Sequence, residues 1–113
     1  MSLTVRDLVK AAQKEIRQPE LGPDRARDLL VMLTSLYGNT LDEIRDADAA
    51  YNAVLLQHLE SSEKANRAKI RAESTPEFQR RQEARDLKDL VIEMTRSLKY
   101  FIRSQSDEMN LAR

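Results

Sequence analysis

The chain has 113 residues, 34% of them charged and 4% aromatic, and Lys plus Arg equals Asp plus Glu at 19 each. One domain is the usual expectation at this length, and the charge balance leaves no net field toward nucleic acid or membrane, so any such attraction must come from local clustering. Cysteine is absent, which excludes disulfides, thiolate metal sites and cysteine nucleophiles.

With only 2 glycines and 3 prolines, the composition favours long helices over strands. No apolar run approaches the ~20 residues that cross a bilayer. From Arg6 onward charged and apolar residues alternate, unlike a signal peptide. The expected location is cytoplasmic, with no membrane association.

Thr4, with Asp7 three residues later, resembles a capping box and opens a first helix over 5–18. Leu8, Val9, Ala12 and Ile16 share one face of it. Pro19, Gly22 and Pro23 end that helix. A second short helix is expected over 24–37, with Ala26, Leu29, Leu30, Leu33 and Tyr37 as its buried stripe. Gly38-Asn39 reads as its C-terminal stop, since both residues tolerate a left-handed backbone. Thr40 and Glu43 then form the capping box of a third helix.

From Thr40 to Glu73 there is neither Gly nor Pro. Ile44, Ala47, Tyr51, Val54, His58, Ser61, Ala65, Ala68 and Ala72 recur at spacings of 3 and 4, a heptad-like seam. Ser74-Thr75-Pro76 interrupts it: either hydroxyl can cap the next helix, and proline suits a first helical position. From Glu77 to Met109 a second seam runs through Ala84, Leu87, Val91, Met94, Leu98, Phe101, Gln105 and Met109, with Leu90 and Ile102 alongside. Two such helices joined by a short turn fold back on each other. Pairing about that turn places His58 near Val91, Tyr51 near Leu98 and Ile44 near Gln105. The expected fold is therefore all-α. Two short N-terminal helices, over 1–39, pack on a long antiparallel coiled-coil-like hairpin over 40–113, one domain overall.

Several features bear on function. Lys64, Arg67, Lys69, Arg71, Arg80, Arg81 and Arg85 face only Glu63, Glu73, Glu77 and Glu83 at the expected tip. Lys88, Arg96, Lys99 and Arg103 continue the basic residues along the last helix. Such a set can track a phosphate backbone; equally, mixed charge is ordinary on a solvated coiled-coil surface. Asp42, Glu43, Asp46 and Asp48, with Asp107 and Glu108 paired opposite, are the residues on which a Mg²⁺ site would rest. Asp42 and Glu43 also fit the first turn of a helix on dipole grounds alone. The single histidine, His58, has no Glu-x-x-His or His-x-x-x-His partner and reads as a polar seam residue. Ala49, Ala53, Leu56, Ile92 and Tyr100 form a second apolar surface, and Leu56, Ile92 and Tyr100 are the expected contacts of a homo-oligomer.

The order of a charged Ala-rich helix, Ser74 to Phe78 (Ser-Thr-Pro-Glu-Phe), an Arg/Glu-rich segment, and Ser97 to Ser104 (Ser-Leu-Lys-Tyr-Phe-Ile-Arg-Ser) resembles small helical proteins of bacteriophage recombination and replication modules. More loosely it is similar to the recombination mediator of T-even phages, over about the last two-thirds of the chain. The resemblance implies a short N-terminal helix followed by a helical hairpin. It also implies oligomeric rings, binding of single-stranded DNA, and partnership with a recombinase or a single-strand-binding protein in a phage-infected or prophage-carrying bacterial cell. The expected function is a non-enzymatic accessory role, with no catalytic residue, metal or cofactor. Lys64, Arg67, Lys69, Arg71, Arg80, Arg81, Arg85, Lys99 and Arg103 are its expected nucleic-acid contacts. One alternative is a structural or inhibitory protein-interaction module of phage assembly or anti-defence. Another is a Mg-dependent all-α nucleotide hydrolase built on the acidic residues. A secreted hairpin of the WxG type fails for want of a tryptophan.

Overall fold

The computed structural model describes residues 4–61 and 64–111, with 109 and 110 described by backbone alone. Among them every regular element is a helix. Thr4 Oγ1 accepts from the Asp7 backbone N–H at 3.1 Å, and the Asp7 carboxylate accepts from the Thr4 N–H at 3.2 Å. This reciprocal cap satisfies two donors that a helix start leaves orphaned, and it opens α1 (Val5–Ile16). The next helix, α2 (Pro23–Glu60), begins on proline, whose missing N–H costs nothing in a first turn.

α2 runs unbroken through Gly38 and Asn39, so the expected stop there, and the separate short helix over 24–37, are not found. Gly38 does not adopt a left-handed backbone. A helix-interior glycine costs only about 1 kcal/mol against alanine. Burial of Leu33 and Leu36 before it, and of Thr40 and Ala47 after it, outweighs that cost. Thr40 lies inside the helix as a buried residue and opens nothing.

The long helix expected over 40–73 is divided instead. α2 ends at Glu60, and a separate α3 (Ala65–Ala72) follows. Ser61 Oγ donates to the His58 carbonyl at 2.9 Å. Serine hydroxyls compete in this way with the helical ladder, and here no glycine or proline is needed to end it. Ser62 and Glu63 lie outside the described residues, as does the side chain of Met109 from the second seam. α4 (Pro76–Leu111) starts where the turn residues place it. Of the two possible caps it uses Thr75, whose hydroxyl accepts from the Phe78 N–H at 3.4 Å. Ser74 Oγ donates to the Ile70 carbonyl.

The chain is all-α, and segments of α2 and α4 pack on each other in the manner of a helical hairpin within each of two units. The first unit is Met1–Asn39 with Leu87–Arg113. Its core gathers Val9 and Ala12 of α1, Ala26, Leu29, Leu33 and Leu36 of α2, and Val91, Met94 and Leu98 of α4. Each fully buried Leu or Val here contributes about 1.5–3 kcal/mol of transfer free energy.

The second unit is Thr40–Asp86. Among the described residues its buried side chains are small, Thr40, Ala47, Ala68, Ala72 and Ala84, with Tyr51 the one large exception. Small residues let helices approach closely, yet they bury little area. Tyr51 meets Phe78, with ring centroids 5.6 Å apart, and Leu98 lies in the core of the first unit. The expected pairings of Tyr51 with Leu98, His58 with Val91 and Ile44 with Gln105 each join a residue of the second unit to one of the first. The assumed hairpin kept 40–73 as one arm, which the break at Ser61 divides. Ser61 and Ala65, expected on the seam, are exposed. Among the described residues, no helix is long and apolar enough to cross a membrane.

Candidate nucleic-acid interface

The second unit sorts its cations into two groups. Arg80 Nε donates to Glu43 Oε1 at 2.7 Å, and Arg85 Nη2 donates to Asp48 Oδ1 at 3.2 Å. Arg81 Nε lies 3.4 Å from the same Asp48 oxygen. Its guanidinium sits 4.5 Å from the centroid of Tyr51, a cation–π distance. The hydrogen bond and charge of Glu43, helped by Asp46, raise the Arg80 pKa above its ordinary value. These three arginines, expected to face nucleic acid, therefore join α4 to α2.

The same pairs account for two of the clustered carboxylates. Glu43 and Asp48 each accept from arginines of α4, and Asp42 accepts from Arg45 one turn on, at 2.9 Å. Among the described residues, no group of three or more His, Asp or Glu side chains is placed to share a metal ion. Asp107 and Glu108, expected opposite these acids, belong to the first unit.

The second group of cations belongs to α3. Ala68 and Ala72 turn inward, which leaves Lys64, Arg67, Lys69 and Arg71 exposed around them. Among the described residues, no ion pair engages Lys64, Arg67 or Lys69. Ile70, 65% exposed, stands between these cations. In the first unit Lys99 and Arg103 are likewise exposed, whereas Lys88 lies 3.8 Å from Asp89 and Arg96 bonds Glu93. Of the expected oligomer contacts, Leu56 is exposed in the second unit. In the first unit Tyr100 is 75% exposed and Ile92 is half-buried.

Beside α3 lies an open groove of about 510 Å³. α2 lines it with Tyr51, Asn52, Leu55 and Leu59, which recur at helical spacing along one side. α3 contributes Ala65, Lys69 and Glu73, again one face at i, i+4 and i+8. α4 closes it with Phe78 and Arg81. Two of the chain's five aromatic rings therefore stand next to cations of the basic helix. Sequence reasoning placed Tyr51 in a buried seam and Phe78 in a turn. Only the break at Ser61, which folds α3 back as a separate helix, brings them to one groove. No family model, curated protein or solved structure matches the chain.

Proposed function

We propose that this chain is a non-enzymatic accessory protein of phage-type DNA recombination or replication that holds single-stranded nucleic acid through its phosphates. The observation that supports this reading is the sorting of the cations. Arg80, Arg81 and Arg85 are spent on Glu43 and Asp48. Lys64, at the N-cap of α3, and Arg67 and Lys69 within it are left without an ion pair among the described residues. Uncommitted lysine and arginine side chains displace condensed counterions at little cost, because no internal partner must be given up. The contact set is accordingly narrower than the full run of basic residues. It centres on α3, with Lys99 and Arg103 as the corresponding cations of the first unit.

The test is fluorescence anisotropy with a labelled oligothymidylate across a salt series. Affinity falls with a log–log slope of about −0.7 per phosphate neutralised. Replacing Lys64, Arg67 and Lys69 together with glutamine flattens that slope by about 2. Absence of binding at low salt overturns the proposal.

A second reading, a protein-interaction module, draws on the exposed apolar side chains. Val31 and Tyr100 are 68% and 75% exposed in the first unit, and Leu56 and Ile70 are 55% and 65% exposed in the second. Apolar side chains on a highly charged helical surface are natural contacts for another subunit or partner. On this reading the chain sediments above 13.0 kDa, and Tyr100→Glu lowers the mass by placing an unpaired charge in the contact. A single species of monomer mass in the unmodified chain rules out self-association.

A further inference from the structure

Phosphate contacts alone do not distinguish single strands from duplexes, because both present the same backbone anions. A protein that prefers single strands needs a surface for the faces of unstacked bases, and such surfaces are built from aromatic side chains beside cations. The groove of the second unit has this composition. Leu55 and Leu59 give it an apolar wall, and Phe78, half-buried, presents part of its side chain there. Tyr51 is nearly buried and packs against Phe78 at 5.6 Å, so it fixes that ring in place. Lys69 and Arg81 stand on opposite sides, on α3 and α4. Arg81 is oriented by Asp48 and Tyr51. Its planar guanidinium carries five N–H donors in all, so it retains several beyond the Nε–H that faces Asp48.

We propose that this groove receives one unstacked base of a single strand, with Phe78 and the leucines against the base and Lys69 toward the adjoining phosphate, while Arg81, held by Asp48 and Tyr51, shapes the opposite side. The proposal rests on the nucleic-acid reading above and gives it a reason to favour single strands. The volume of about 510 Å³ falls within the range typical of small-molecule sites, roughly 300–1,000 Å³. The charge is complementary: the groove lies along the helix that carries Lys64, Arg67 and Lys69, whose charges draw the backbone to its edge. Glu73 is the one anion on the lining among the described residues. Removing its charge should therefore tighten binding, and leaving it in place limits affinity for a passing strand.

The experiment uses the full chain, an oligothymidylate carrying a single 2-aminopurine, and a duplex of the same length. On binding the single strand, 2-aminopurine fluorescence changes as the base leaves its neighbours for the groove. Phe78→Leu keeps an apolar side chain in place. It weakens single-strand binding about tenfold, as expected for loss of one stacking contact. Its salt slope stays unchanged, and duplex affinity is untouched. Lys69→Gln flattens the slope for the single strand, and Glu73→Gln strengthens binding of it. If both nucleic acids bind alike and the 2-aminopurine signal of the unmodified chain does not change, the groove proposal is overturned while phosphate binding stands. That measurement does not depend on any variant folding. If neither nucleic acid binds at low salt, the functional reading itself falls.

Discussion

Arg80 reaches Glu43 across 37 positions of sequence, and Arg85 reaches Asp48 across the same separation. Both ion pairs tie α4 to α2 in the second unit, where the buried residues are mostly alanines that bury little area. The pairs are half-exposed, with side-chain exposures of 47% and 44% for Arg80 and Glu43, so each contributes modestly.

Charge reversal at this pair tests the register. Glu43→Arg and Arg80→Glu each lower stability in urea denaturation, and the double variant recovers most of the loss. The coupling is about 0.2–1 kcal/mol, the range of exposed pairs, and it shrinks in high salt. Zero coupling at low salt would mean that α4 sits elsewhere along α2.

Continuity of α2 is tested at Gly38. A Cβ added there meets no atom within 4 Å, and the backbone is not left-handed. Gly38→Ala therefore raises stability by about 0.5–1 kcal/mol by reducing the freedom of the unfolded chain. A helix that stopped at Gly38 in a left-handed cap would be destabilised by the same change. Thermal unfolding followed by circular dichroism separates the two.

Burial in the first unit separates Leu98 from its near neighbour Tyr100. Leu98 is 1% exposed among Leu29, Leu33 and Met94, and Tyr100 is 75% exposed. Leu98→Ala costs about 2–5 kcal/mol. Tyr100→Ala stays within about 0.5 kcal/mol of the parent chain, measured well below any concentration at which it self-associates.

Acid sensitivity follows from two carboxylates of α1, one in its N-terminal cap and one paired with Arg25 of α2. Hydrogen bonding to Arg25 lowers the Glu15 pKa below its ordinary 4.5. Hydrogen bonds from the Thr4 backbone and hydroxyl lower that of Asp7 below 3.8. For a carboxylate whose folded pKa lies below its unfolded value, the unfolded state takes up protons first as pH falls. Both contributions are thus complete at neutral pH; that of Glu15 declines as pH falls through its ordinary 4.5 and that of Asp7 through its ordinary 3.8, and each is gone once the folded group titrates. Melting temperature recorded from pH 7 to pH 2 shows this decline, and Glu15→Gln makes it shallower. An unchanged profile in that variant would remove Glu15 from the account.

The outcomes at Thr4, Pro76 and Leu98 show what was legible without a structure. A capping box is a local pattern, and Thr4 with Asp7 forms it as spelled. A proline in a first turn is equally local, and it starts α4. The second seam reads correctly from Ala84 to Leu98 because a 3.6-residue period survives any choice of partner helix. At Gly38 and Ser61 the same local rules misplace the breaks. Gly38 is a weak breaker that neighbouring burial overrides, and Ser61 belongs to no strong stop signal. The nucleic-acid candidates divide along the same line: their number and sign were visible, their availability was not.

The sequence by itself therefore determined an all-α chain, its seams and its stock of cations, since periodicity, caps and charge are properties of residues within a turn or two of each other. The tertiary structure decided the register, the separation of α3, which arginines are spent on Glu43 and Asp48, and the meeting of Tyr51 and Phe78 with Lys69 and Arg81. Those outcomes depend on contacts between residues tens of positions apart, each of small energy. Which of them form together is settled by where the chain reverses, and in the second unit Arg80 meets Glu43 and Phe78 meets Tyr51.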